Sequence, residues 1–187
     1  MKSNQSQLLT NSATFGLIMA GVSFVLTLLY WILDFNLFSI GTSLLVLVLN
    51  LGITVLFFWL SNKTLRDKYL GGAMTYGQGF VNALLTGIAS VIVGTVLTYV
   101  FHKYIAPDYL SKLAEKMLET LQSNPNVPPA TLETVKAKFD AMTPEHNATQ
   151  GLLYGTIFSV VFSLIISAFT KKNPDIFATE NTSEEVK

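Results

Sequence analysis

Four stretches of this chain carry no Asp, Glu, Lys or Arg: Ser3 to Leu33, Phe35 to Asn62, Tyr69 to Phe101, and Asn147 to Thr170. Each is long enough for the roughly 20 apolar residues that a helix needs to cross a hydrocarbon core of about 30 Å. No other feature restricts the fold so severely, because in lipid every backbone amide must find its partner within a helix or a closed barrel. The runs are apolar on all sides rather than along one stripe, which separates them from the surface helices of a soluble domain. The expected crossings are residues 13–33, 37–61, 78–101 and 151–170, preceded by a tail over 1–12 and followed by a flexible tail over 171–187.

Composition agrees with lipid as the solvent, since half of the 187 residues are hydrophobic and only 13% are charged. Twelve basic and twelve acidic residues cancel, so no global field recruits nucleic acid. The absence of cysteine removes disulfides, thiolate metal sites and a cysteine nucleophile. A cleaved leader is the rival reading of the first run. It is disfavoured because the run is too long and ends in Tyr30, Trp31 and Asp34 rather than in small residues.

The connection "DFN" at 34–36 permits only a tight turn, so the first two crossings form an antiparallel hairpin. Lys63, Arg66 and Lys68 lie between the second and third crossings, and Lys171 and Lys172 follow the fourth, so all five fall on one side of a four-span chain. The positive-inside bias makes that side cytoplasmic, with both termini inside. Tyr30, Trp31, Trp59, Tyr99 and Tyr104 cluster at the expected boundaries, where amphipathic rings settle.

Residues 102–150 are the one sizeable aqueous region. Leu110, Leu113, Ala114, Met117, Leu118 and Leu121 recur at helical spacing, and Leu132, Val135, Phe139 and Met142 do so again after the breaking sequence "NPNVPP". The expected product is an extracytoplasmic amphipathic helical hairpin between the third and fourth crossings. Two short helices cannot bury their apolar stripes alone. Three covers stay open: the outer membrane face, a second copy or another membrane or periplasmic protein, and a small ligand under a lid.

Within the crossings no Asp, Glu, Lys, Arg or His occurs, which removes the usual support for ion-coupled transport. Small residues repeat every fourth position instead: Gly79, Ala83 and Gly87 in the third crossing, and Gly151, Gly155, Ser159, Ser163 and Ser167 in the fourth. Such ridges let backbones approach closely, so these two helices are expected to pack together. Beside the first ridge runs a polar row of Asn82, Thr86 and Ser90, continued by Gln78 and Thr98. It is read as bonding to the helix's own carbonyls and to neighbouring helices, with a hydrophilic solute path as the rival. Asn50 is expected to serve as interhelical glue in the same way.

"TYGQGF" at 75–80 is neither a dinucleotide fingerprint nor a phosphate loop, because Asn82 stands where a third glycine would be and no lysine follows. Thr75 and Gln78 match a capping box opening the third crossing. With Lys63, Arg66 and Lys68 upstream, the same two residues are candidate contacts for an anionic lipid. His102 and His146 flank the aqueous segment without the further ligands of a metal centre. No nucleophile elbow or zinc-protease helix is present, so no catalytic, cofactor or metal residue is assigned and the chain is not read as an enzyme.

The order of these parts, with "YLGGAMTYGQGFVNALLTG" before the third crossing and "YIAPDYLSKLAEKMLETL" after it, resembles a domain-of-unknown-function family of small four-span proteins from Bacteroidetes. The resemblance covers about residues 8–173 and is sharpest at Tyr76 to Gln78 and at Pro107 to Leu110. It implies no activity or cofactor. It does imply residence in the inner membrane of a Gram-negative cell, with the hairpin in the periplasm. The expected role is non-enzymatic assembly through that hairpin, with a small permease or channel subunit working as an oligomer as the alternative.

Overall fold

The computed structural model describes residues 2–173, and among them it is all-helical. In chain order the helices are α1 (Lys2–Ile32), α2 (Ile40–Thr64), α3 (Tyr76–Val100), α4 (Tyr109–Gln122), α5 (Pro129–Asp140) and α6 (Pro144–Thr170). One wide, π-helical turn prolongs α2 over Leu65–Tyr69, and another prolongs α3 over Phe101–Ile105. The helices α1, α2, α3 and α6, with those extensions, are long and apolar enough to cross a membrane. Residues 174–187, most of the tail expected to be flexible, lie outside the described residues.

Helix ends lie beyond several of the expected crossings, at the starts of α1 and α6 among them. Residues 2–12, expected as a tail, continue α1 without a break. No Pro or Gly interrupts them, and Asn11 is drawn into the bundle by hydrogen bonds to Ser61 and Asn82 rather than by hydropathy, with Ser12 buried beside it and bonded to its own helix. Similarly, α6 starts at Pro144, ahead of the apolar run, because the Thr143 hydroxyl accepts a hydrogen bond from the His146 amide and Pro144 takes the first helical position. Between α2 and α3 the chain reverses through Gly71 and Gly72, at φ +68° and +91°, a region that favours glycine.

The helices α1, α2, α3 and α6 alternate in direction, so the start of α1, the end of α2, the start of α3 and the end of α6 meet at one end, here called the basic end. Reciprocal backbone hydrogen bonds between Met74 and Lys172, of 2.8 and 2.9 Å, tie the entrance of α3 to the exit of α6 there. The helix α3 lies at the centre, against α6 on one side and α1 on the other. Its small residues set the approach. A Cβ added at Gly87 would stand 2.5 Å from the Ser159 hydroxyl, one at Gly155 would stand 2.8 Å from Val91, and one at Gly16 of α1 would stand 2.7 Å from the Thr86 carbonyl. Lipid tails are as apolar as these helices, so close contact rather than escape from water provides the attraction.

In α2, exposure falls from 88% at Ile40 through 53% at Leu47 to zero at Phe58. The helix joins the core at Phe58, with Ala83, Ile166, Met19 and Phe162, and leans away towards its start.

Candidate functional site

A polar seam crosses the bundle near the basic end. Asn82 of α3 donates from Nδ2 to the Ser61 hydroxyl at 2.8 Å and to Asn62 Oδ1 at 2.9 Å, and its Oδ1 accepts from Asn11 Nδ2 at 3.0 Å. Asn11 also donates to the Ser61 carbonyl at 3.0 Å, and Asn62 donates to the Thr170 hydroxyl at 2.9 Å. The Ser61 and Thr86 hydroxyls lie 2.8 Å apart, and Thr86 donates to the Asn82 carbonyl. All four long helices therefore meet in one network of fully or almost fully buried groups. Each bond is worth about 0.6 to 2 kcal/mol in a membrane protein, and an orphaned amide there is far more costly than in water.

The structure thus places Asn82 and Thr86 in contacts within the chain, and Ser90 buried beside them. On α6, Ser159, Ser163 and Ser167 donate to the carbonyls four residues earlier while presenting small surfaces to α3. Gly79 faces Ser167, and Gly151 comes within 3.9 Å, at its added Cβ, of Thr95. Asn50 behaves differently from the glue expected of it. It is exposed and donates to Val46 of its own helix at 2.8 Å, because the leaning start of α2 carries it away from α3 and α6. The sequence reading passed over Asn11, Ser61, Asn62 and Thr170. Their signal was only that polar residues stood at the edges of apolar runs.

The five residues singled out for anionic lipid share the basic end but do not form one cluster of free donors. The Arg66 guanidinium is held by Asp67, at 2.7 Å, and by the Thr170 carbonyl, at 3.3 Å. Lys63 lies over the Trp59 ring. Thr75 and Gln78 serve each other as a capping box, the Thr75 hydroxyl accepting from the Gln78 amide and Gln78 Oε1 accepting from the Thr75 amide. Lys68 stands apart, over a cleft with Thr10, Thr14 and Thr64.

At the opposite end the hairpin is docked, not tethered. Phe101, fully buried in the wide turn after α3, is met edge-on by Phe24 and Trp31 of α1 and by Tyr109 of α4, with ring centroids 6.2, 5.5 and 5.4 Å away. The wide turn aims this ring, and the neighbouring His102, into the bundle. His102 stacks on Tyr109 at 5.7 Å and its Nδ1 lies 3.1 Å from Asn147 Nδ2 on α6, while His146 is exposed. Farther along α4, Lys116 donates to the backbone and side chain of Asp34, at 2.9 and 2.5 Å, in the α1–α2 connection. Burial raises the Tyr109 pKa, and Lys112 bonding Asp108 at 2.6 Å lowers that of the carboxyl.

The helix α5 folds back on α4 and leaves an open groove of about 440 Å³ lined by Leu110, Ala114, Leu118, Phe139 and Met142, with Glu115 and Lys136 at its edge. Among the described residues, no three His, Asp or Glu side chains gather as a metal-binding group.

These features define a class first: an all-α, multi-pass membrane protein of four spans with a folded helical hairpin between the third and fourth. The chain belongs to the family described as "Protein of unknown function (DUF4199)", whose model matches residues 14–172. No curated protein and no solved structure matches the chain.

Proposed function

We propose that this protein is a non-enzymatic assembly factor of the cytoplasmic membrane, with both termini in the cytoplasm, whose α4–α5 hairpin outside that membrane binds a protein partner or another copy. The observation that carries the reading is the docked hairpin with its uncovered groove. Phe101, Tyr109 and Lys116 fix α4 to the bundle, so the apolar groove is presented in one orientation. A preoriented groove spares a binding helix the ordering of its receptor. The five basic residues at the other end support the orientation. The polar row offers less to a solute path, since Asn82 and Thr86 spend their hydrogen-bonding groups on Asn11, Ser61 and Asn62.

The test is removal of residues 107–142 with a short flexible link, followed by cross-linking in the native membrane. Loss of specific cross-linked neighbours, with the four-span bundle still resisting protease, supports the proposal. Retention of the same neighbours and the same assembly size overturns it.

A further inference from the structure

We propose that the leaning first half of α2 is a dimer seam, on which α2 of a second copy of this chain pairs in parallel about a two-fold axis. Asn50 comes ten residues after Ile40, hence about 15 Å along a helix that crosses roughly 30 Å of hydrocarbon. Its amide is exposed at that depth and bonds only its own Val46 carbonyl; the Tyr30 hydroxyl on α1 lies close but out of bonding geometry, buried without a partner. Acyl chains offer no hydrogen bond at mid-membrane, and phospholipid carbonyls and phosphates stay near the interfaces. A second copy in the same orientation carries the same amide at the same depth, and a two-fold axis brings like against like.

The register agrees. Ser43, Leu47, Asn50, Thr54 and Phe57 follow the alternating spacing of four and three residues that makes a left-handed helix pair, with the amide at one seam position, where it fixes register. Leu47, Asn50 and Thr54 face a cleft of about 290 Å³ whose far wall is Gly155 and Phe158 of α6. That volume takes side chains of a neighbouring helix rather than the helix itself. Pairing ends at Phe57, because the next residue, Phe58, is already buried in its own bundle.

The natural sequence lacks cysteine, so single-cysteine variants of the full chain can be oxidised in native membranes without background. Disulfide-linked dimers are expected from L47C and T54C, which keep Asn50, and at least fivefold less from L45C, L49C and L56C, which lie off the seam. Without any added thiol, Asn50→Leu should lower the dimer fraction after chemical cross-linking at least threefold, while Asn50→Gln and Tyr30→Phe preserve it. Equal cross-linking around the helix, or none at all with a bundle that still resists protease, overturns the proposal and leaves lipid as the occupant. Loss of dimer in Tyr30→Phe equal to that in Asn50→Leu also overturns it, because the amide would then be serving the contact between α1 and α2.

Discussion

Replacing Asn82 by leucine tests the polar seam most severely, because the shape is nearly kept while three hydrogen bonds disappear. Asn82 donates to Ser61 and Asn62 and accepts from Asn11, at 2.8, 2.9 and 3.0 Å. At about 0.6 kcal/mol for an average bond between membrane helices, the three sum to roughly 2 kcal/mol. The Asn62 side-chain oxygen loses its partner within the buried seam, which adds about 1 to 3 kcal/mol, while the Asn11 amide keeps the Ser61 carbonyl. The expected loss is therefore about 3 to 5 kcal/mol, at least 100-fold in the unfolding equilibrium. Reversible unfolding of purified protein in mixed micelles, titrated with a denaturing detergent, reads this directly. Thr156→Val is the control: Thr156 is exposed and bonds only the Leu152 carbonyl of its own helix, so its change should stay within about 0.5 kcal/mol. The double variant with Asn11→Leu should cost less than the sum of the two single changes, since both remove the same bond. An Asn82→Leu protein as stable as the Thr156 control, or strict additivity with Asn11→Leu, would refute the network as a source of stability.

Gly87→Val should prevent assembly of the bundle, since even a Cβ would meet the Ser159 hydroxyl at 2.5 Å and Phe58 at 2.8 Å, whereas Gly52→Ala, with nothing within 4 Å, should leave the melting temperature unchanged or slightly higher. Phe101→Ala empties the aromatic anchor and should cost about 3 to 5 kcal/mol, seen as protease cutting in the hairpin before the bundle melts. Thr75→Ala removes half of the capping box and should cost about 1 kcal/mol in the same micelle titration. The Asp108 carboxyl, held low by Lys112, favours the folded hairpin above its unfolded pKa and loses that contribution as pH falls through its folded value. The pair is exposed, so Asp108→Asn should flatten the acid dependence of α4 helicity only slightly, as followed by hydrogen exchange.

Much of this architecture is legible in the residues themselves. Charge-free runs mark the four long helices, "NPNVPP" marks the break between α4 and α5, and Thr75 with Gln78 marks the start of α3. These signals are local: a proline lacks a donor wherever it stands, and a cap needs only its own first turn. What escaped the sequence depends on pairs far apart in the chain. Asn11 and Asn82 are 71 residues apart, and nothing in either neighbourhood says that they meet. The two wide turns have no sequence signature, yet the one at Phe101 decides where α4 can dock. Asn50 and Asn82 invite the same reading in sequence, each an amide within an apolar run. Only the lean of α2 leaves one exposed on the bundle and puts the other in the core.

The proposed role rests on the groove between α4 and α5, and site-specific photo-cross-linking from within it tests that role most directly. A photoreactive phenylalanine analogue placed at Leu118 or Phe139, which line the groove, is compared in living cells with the same analogue at Glu133 or Lys138, which are exposed on α5. A discrete protein adduct is expected from the two groove positions and none from the two controls. Adducts of equal yield from all four positions, or none from the groove while the hairpin still resists protease, would contradict the proposed role.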